Sequence, residues 1–239
     1  MNILKEIENF INEFNRNNDE NFAIDTIRIE FQKRYKLEEL KEVGIWHKIN
    51  SKDRKILSKL KKRLTEKEIT TAYQLENESI YFYNSTAINY NIATLVIFGM
   101  KQYHKEPPRR ELISKLVNIL TRGTSKLSIN IDICLDINTV PNIERIKRYF
   151  DVKQYRDKSG KQGDTFYINR PLILMVEKIT IYNKALKNGL DGILWRIEAK
   201  VTIPNFRDLT MPLQELKKVT DIIKKQTALA IAKQLTRGQ

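Results

Sequence analysis

Apolar and polar residues alternate cleanly along three segments of this 239-residue chain. In residues 128–137 every odd position is aliphatic, whereas the even positions include both aspartates of the segment. Residues 195–203 and the second half of 172–182 show the same two-residue period. Side chains of a β-strand alternate between its faces, so each segment is predicted to be a half-buried strand. Such strands favour an antiparallel sheet with one face in solvent.

The rest of the chain mixes helical and strand patterns. Helical spacing of apolar residues predicts helices at 3–15, 54–68, 110–120, 142–150 and 212–236, and alternation predicts further strands at 23–31, 69–75, 79–85 and 89–99. A hairpin turn is predicted at 157–164. This order predicts an α+β fold with a large, mainly antiparallel twisted sheet, helices packed on one face and a long C-terminal helix.

Two organisations of the domain stay open at this point. The first is an N-terminal helix at 1–20 followed by a single domain at 21–239. The second divides that domain into two quasi-repeats, with halves at 21–122 and 123–239. Each half would hold a strand, then a helix, then a meander of strands.

The polar faces of the predicted strands carry the candidate chemistry. Asp132 and Asp136 share one face, but they lie about 13 Å apart along a strand and cannot chelate one ion by themselves. Arg196 and Glu198 share the polar face of the strand at 195–203, and Tyr182 ends the strand before it. A metal would therefore need carboxylates from neighbouring strands.

Charge indicates a polyanionic partner. The chain has 43 basic and 29 acidic residues, for a net charge of +14, and phosphate contacts dominate nucleic-acid affinity. Basic residues are dense in the predicted helix at 54–68 and in the loop at 101–110. The DNA-binding candidates are Lys55, Lys59, Lys62, Arg63, Lys101, His104, Arg109 and Arg110. The alternative for each segment is a solvated charged face.

Several classes of protein are not expected. Cys134 is the single cysteine, so no disulfide framework or cysteine-based zinc site is expected within one chain. The N-terminus does not resemble a signal peptide, and no apolar run approaches about 18 residues. A cytoplasmic protein without a membrane partner is therefore expected. No phosphate-binding loop motif occurs, and His47 and His104 cannot form a paired-histidine metal motif.

Four segments resemble, in order and spacing, the motifs of the Rep_trans family of rolling-circle replication initiators of plasmids and phages, with related relaxases. They are AIDTIRIEF, LSINIDICLDI, GDTFYIN and the pair ITIYNK and LWRIEAKV. The resemblance covers about residues 23–203. It implies an enzyme that binds an origin, cuts one DNA strand with a tyrosine and stays joined to the 5′ end.

The resemblance also implies roles for particular residues. Tyr182 would be the nucleophile, with Tyr167 as the rival candidate, and Lys184 or Arg196 would stabilise the phenolate and the phosphorus. A divalent Mg²⁺ or Mn²⁺ ion would be the cofactor, and its ligands would be Asp132, Asp136 and Glu198. The partners would be origin DNA, both duplex and single-stranded. A host helicase and a second copy of the chain are further partners that stay open.

The chain departs from the family pattern at a few positions. Asn130 stands where the family has an arginine, 169–170 read Asn-Arg for Gly-Ser, and Thr180 replaces an arginine. Two other functions therefore stay open. One is an origin-binding or regulatory protein of the same fold that does not nick DNA. The other, ranked last because no RNA-module signature occurs, is a basic RNA-binding structural protein.

Overall fold

The computed structural model describes residues 3–31, 37–61, 68–87, 90–102, 106–121, 127–168 and 175–235. The strands are β1 (Ala23–Phe31), β2 (Trp46–Lys48), β3 (Glu68–Leu75), β4 (Ile80–Ala87), β5 (Tyr90–Ile97), β6 (Leu127–Ile137), β7 (Val152–Arg156), β8 (Gln162–Ile168), β9 (Val176–Asn183) and β10 (Trp195–Ile203). The helices are α1 (Ile3–Asn18), α2 (Arg54–Lys61), α3 (Arg110–Thr121), α4 (Ile143–Ile146), α5 (Lys184–Asn188) and α6 (Thr210–Leu235). Single 3-10 segments lie at Leu37–Val43 and Phe206–Leu209.

The strands belong to one sheet in the order β2-β3-β4-β5-β1-β6-β10-β9-β8-β7. The strand pairs with a defined register are antiparallel. The predicted α+β class with a large antiparallel sheet and a long last helix is therefore confirmed. The chain forms two compact units, and β6 passes from the first to the second between Ile131 and Asp132.

The first unit comprises residues 1–10, 24–131 and 203–206. Helix α2 packs with its apolar side on β3, β4 and β5, where Leu60 meets Ala72, Tyr83 and Val96. These four side chains are almost fully buried. The helix offers Arg54, Lys55 and Lys59 to solvent, as expected for an amphipathic surface helix.

The second unit comprises residues 11–23, 132–202 and 207–239. Its core is built from the aliphatic faces of β6, β9 and β10, which bury Ile133, Ile181 and Ile197 completely. Helix α6 buries an apolar stripe that includes Leu213 and Leu216. The aliphatic faces predicted for 128–137 and 195–203 are thus confirmed.

Three local predictions were wrong. The helix predicted to reach residue 68 cannot do so because Glu68 already belongs to β3; residues 62–67 lie outside the described part of the chain. The helix predicted at 142–150 is the short α4, which Asn142 caps by accepting a hydrogen bond from the Arg145 backbone. The loop expected between β9 and β10 contains the helix α5.

The prediction of a solvent-exposed polar face is also wrong for part of the second unit. Asp132, Thr180 and Arg196 lie on that face and are all buried, as is Asn130 of the first unit. Periodicity shows which residues share a face, but it does not show what covers them. Buried charges require partners, and these partners define the candidate site.

Candidate active site

The register of β9 and β10 brings a tyrosine opposite the Arg-x-Glu pair. Tyr182 lies directly across from Arg196, and Thr180 lies directly across from Glu198. Residues two apart on a strand share a face, so all four side chains stand on one side of the sheet. The juxtaposition expected from the two sequence motifs is present in the structure.

Tyr182 is held at both ends of its side chain. Its hydroxyl donates a hydrogen bond to Oε2 of Glu198 at 3.3 Å. The ammonium of Lys187 lies 4.4 Å from the centre of its ring. Only 7% of Tyr182 is exposed. A carboxylate at the hydroxyl is placed to accept its proton as a general base, and a cation over the ring is attracted to its π face.

Helix α5 places Lys187 because the local sequence specifies a short capped helix. The side chain of Asn183 accepts a hydrogen bond from the Leu186 backbone at the N-terminus. Gly189 ends the helix with φ 62°, a left-handed conformation that glycine adopts without steric cost. Asn183 and Gly189 bracketing five residues is the signal that could have predicted α5, and with it the position of Lys187.

Asp136 belongs to a buried cluster of charges. Arg196 donates from Nε to Oδ1 of Asp136 at 2.6 Å and from Nη2 to Oδ2 at 2.8 Å. The ammonium of Lys184 lies 3.9 Å from the same carboxylate. Arg196 is 1% exposed, and Lys184 is also buried. This geometry is that of a bidentate buried ion pair, with the Lys184 ammonium beside it.

Asp132 and Glu198 act together on a different cation, Lys178 of β9. Both carboxylates stabilise its ammonium, but burial and the charge of Lys200 outweigh them and lower the pKa of Lys178. Alternation along β9 placed Lys178 on the face of Tyr182, yet nothing in its local sequence indicated that it lies near both acids. Their proximity depends on pairing between strands distant in sequence.

The rival candidate, Tyr167, lies on β8 across from Thr180. The Lys178 ammonium stands 4.6 Å from the centre of its ring. Burial, and secondarily the nearby Tyr155, raise the pKa of the Tyr167 hydroxyl. A raised pKa keeps this phenol protonated at neutral pH.

The predicted divalent metal would need several acidic side chains grouped around one point. Among the described residues, no group of three or more His, Cys, Asp or Glu side chains is arranged to hold a metal ion. Asp136 already accepts two hydrogen bonds from Arg196, so a metal there would have to compete with a guanidinium. Asp132 and Glu198 both act on Lys178, and carboxylate oxygens are ligands that Mg²⁺ accepts when phosphate oxygens and water complete its shell.

The predicted DNA-binding residues have diverse surroundings. Lys55 and Lys59 are exposed on α2, with Lys59 lying 3.9 Å over the Phe98 ring. Arg109 donates to Glu78 at 2.7 Å, and Arg110 pairs with Glu8. Lys101 is half-buried. Lys62, Arg63 and His104 lie outside the described residues, so their predicted role stays a prediction.

The first unit repeats part of this arrangement. β1 also contains Arg-Ile-Glu, and Glu30 lies across from Thr94 of β5, which lies across from Tyr83 of β4. In the second unit Glu198, Thr180 and Tyr167 form the same Glu-Thr-Tyr row. The two rows match in residue types, and the division into quasi-repeats with halves at 21–122 and 123–239 stays a prediction.

The tyrosine of the Glu-Thr-Tyr row in the first unit is not accessible from solvent. Arg28 donates to the backbone oxygen of Leu60 at 2.9 Å and to the Tyr83 hydroxyl at 3.1 Å. Tyr83 is completely buried, and this burial raises its pKa to about 12. A tyrosine so placed cannot reach a substrate. The candidate site is therefore in the second unit, where the row contributes Glu198 and the rival Tyr167, and Tyr182 belongs to the next row on the same face, with Arg196 and Thr165.

No family model and no curated protein matches the chain. Within the described residues, no helix is long and apolar enough to cross a membrane. A similar solved structure is that of the rolling circle replication initiator protein from Geobacillus stearothermophilus. It is 12% identical, the match covers 84% of this chain and 78% of that chain, and the TM-score is 0.42.

Proposed function

We propose that this chain is a rolling-circle replication initiator that nicks one strand of its origin through Tyr182. The observation that carries the proposal is the hydrogen bond from the Tyr182 hydroxyl to Glu198, with Lys187 over the ring. The four sequence motifs resembling the Rep_trans family support it independently. The strong positive charge of the chain suits a DNA substrate.

The chemistry is a phosphoryl transfer without a change of oxidation state. Oη of Tyr182 forms a bond to the phosphorus, and the bond from phosphorus to the 3′ oxygen breaks. Glu198 takes the phenolic proton as the bond forms, and the departing 3′ oxygen gains a proton to become a hydroxyl. The product is a 5′-phosphotyrosine, whose retained ester bond lets the strand be rejoined.

Tyr182 is preferred to Tyr167 on the contacts of each hydroxyl and ring. Tyr182 has a carboxylate at hydrogen-bonding distance to receive its proton. Tyr167 has a cation over its ring. A general base must be within reach of the proton that it removes, and the Tyr182 site satisfies this condition.

Asp132 and Glu198 are the residues that would hold the proposed Mg²⁺ or Mn²⁺, together with phosphate oxygens of the DNA. When bound, the ion would neutralise charge on the phosphate in the transition state. Asp136 is proposed to act mainly by fixing Arg196 and Lys184. Those two buried cations set a positive potential beside Tyr182, which favours a phenolate and an approaching phosphate.

Binding partners follow from charge. We propose that duplex origin DNA contacts the exposed basic face of α2, which includes Lys55 and Lys59, and that the nicked strand lies at Tyr182. A host helicase and a second copy of the chain remain proposed partners that rest on the family resemblance alone.

The second candidate is origin binding without nicking. It is favoured by one observation, the engagement of Asp136 by Arg196, which removes one carboxylate from the predicted ligand set. The departures from the family motifs at Asn130 and Thr180 point the same way. The two candidates differ in a single property, covalent attachment to DNA.

That property is tested with a library of random single-stranded 40-mers and Mn²⁺. Attachment through a 5′-phosphotyrosine leaves the 3′ part of the oligonucleotide on the protein. A 3′-fluorescent library should therefore give a labelled protein band on a denaturing gel, whereas a 5′-fluorescent library should not. Binding to DNA with no band from either label would support the second candidate.

A further inference from the structure

An exposed tyrosine at the edge of the sheet faces the candidate site. Tyr155 of β7 is 45% exposed. A Cβ placed on Gly163 of β8 would stand 3.4 Å from Cδ1 of Tyr155, so the ring lies over that glycine. Gly163, Thr165 and Tyr167 alternate onto one face of β8. The Tyr155 ring therefore lies on the same face as Tyr167.

That face continues to the proposed nucleophile. Thr165 pairs with Tyr182, and Tyr167 pairs with Thr180, the neighbour of Glu198. Tyr155 is also close enough to Tyr167 to raise its pKa electrostatically. From the sheet edge inward, the aromatic rings thus follow the order Tyr155, Tyr167, Tyr182.

Lysines alternate with these rings. Lys178 lies 4.6 Å over the ring of Tyr167, and Lys187 lies 4.4 Å over the ring of Tyr182. Lys153 of β7 is exposed and pairs in register with Tyr167. Aromatic rings for stacking bases, with cations for the backbone, form the usual surface of proteins that bind single-stranded nucleic acid.

We propose that this aromatic track binds single-stranded DNA and leads it to Tyr182, with bases stacking on Tyr155 and Tyr167 and phosphates meeting Lys153 and Lys178. The proposal rests on the proposed function for the identity of the substrate and adds the route of the strand. A duplex does not fit this role because its bases already stack on each other. An acidic protein partner could pair with the lysines, but it is not favoured because it would leave the aromatic rings without stacking partners.

The test measures binding without nicking. The full chain carrying Tyr182→Phe is mixed with fluorescent dT20 in EDTA, and the dissociation constant is followed by anisotropy. Tyr155→Ala should weaken dT20 binding by about 5- to 150-fold, the range expected for one stacked base. Binding of a 20-base-pair duplex should change by less than about two-fold, and Tyr155→Trp should keep dT20 affinity.

Two further variants distinguish base stacking on Tyr155 from other contributions to dT20 binding, namely the charge of a lysine and the mere exposure of a tyrosine. Tyr149 is also exposed, at 61%, but it lies outside the strands, so Tyr149→Ala should leave dT20 affinity within about two-fold. Lys153→Ala should flatten the dependence of log K on log salt by about 0.7, the value for one phosphate on a single strand. Tyr155→Ala should leave that slope unchanged, because stacking releases no counterions.

The proposal is overturned if Tyr155→Ala and Tyr149→Ala weaken dT20 binding equally, or if the parent does not bind dT20. It is also overturned if the effect of Tyr155→Ala appears with rU20 but not with dT20. Because the measurement uses a chain that lacks the proposed nucleophile, its result is independent of nicking. The experiment therefore distinguishes a protein that nicks DNA but does not bind single strands through this track from one that binds them through the track but does not nick.

Discussion

Glu198 is the residue whose contacts make Tyr182 a candidate nucleophile rather than a buried strand tyrosine. Its Oε2 accepts the Tyr182 hydroxyl at 3.3 Å. The same carboxylate acts on Lys178. Glu198 could act as the base that accepts the phenolic proton or as a ligand of the metal. A substitution at this residue distinguishes the two roles.

We expect Glu198→Gln to slow single-turnover nicking by about 10²- to 10⁴-fold, because the amide cannot accept the phenolic proton. DNA affinity should stay within a few-fold. Glu144→Gln is the control, since Glu144 is an exposed residue of α4. If higher Mn²⁺ concentration restored the rate, Glu198 would act as a ligand and not as the base.

Asp136 is expected to stabilise the fold through its ion pair with Arg196. Removing one partner of a buried pair leaves an uncompensated charge and costs about 3–5 kcal/mol. Asp136→Asn should therefore lower the free energy of unfolding in urea by that amount. Asp164→Asn, at an exposed position on β8, should change it by less than about 0.5 kcal/mol. Equal effects of the two substitutions would contradict the pairing and favour Asp136 as a metal ligand.

Because of Tyr83, the free energy of unfolding should depend on pH in the alkaline range. Its pKa is about 12 in the folded chain, chiefly through burial, against 10.0 ordinarily. The unfolded chain therefore loses this proton first as pH rises, so the stabilisation is complete below pH 10 and disappears as pH approaches 12. The change is on the order of 2–3 kcal/mol. Urea unfolding between pH 8 and 11.5 should show the gap between wild type and Tyr83→Phe narrowing; a constant gap would contradict the assignment.

At the scale of elements, α2 and α5 show how two strand meanders with similar residues differ. In the first unit α2 covers the Glu-Thr-Tyr row, and Leu60 accepts a hydrogen bond from Arg28. In the second unit α5 supplies Lys187 to the ring of Tyr182, which lies outside the corresponding row. Similar strands are thus accompanied by helices that make different contacts.

Helix α2 is expected to contribute phosphate contacts to duplex binding. Each contact adds about −0.9 to the slope of log K against log salt. The double variant Lys55→Ala/Lys59→Ala should thus flatten the slope by about two and weaken binding to all sequences alike. Lys52→Ala, at an exposed lysine just before the helix, is the control. An unchanged slope in the double variant would place α2 outside the interface.

The elements that could be predicted from sequence are those with a strong, uninterrupted period. β1 and β10 have the predicted bounds, and α6 begins two residues earlier than predicted. The predicted helix over 54–68 failed at its end because basic residues carry no signal for the start of β3. Helix α5 is too short to show a helical period in its apolar residues. Only its capping residues, Asn183 and Gly189, indicate it in the sequence.

For the candidate site, the sequence could predict only which side chains share the polar face of each strand. Alternation placed Tyr182, Arg196 and Glu198 on polar faces, and the register brings them together. It could not predict that Arg196 pairs with Asp136, sixty residues away in the chain, because such a contact depends on which strands become neighbours. Nor could it predict the burial of Arg196.

At the scale of the whole molecule, the central claim is a covalent bond between Tyr182 and the 5′ end of a cut strand. The most direct measurement is mass spectrometry of the adduct formed with the random 40-mers and Mn²⁺, after digestion with nuclease and trypsin. Tyr182 is the single tyrosine of the tryptic peptide 179–184, and Tyr167 is the single tyrosine of the peptide 162–178. We predict that a nucleotide is attached to the peptide 179–184 and that Tyr182→Phe gives no adduct. An adduct on the peptide 162–178, or one that persists in Tyr182→Phe, would contradict the account.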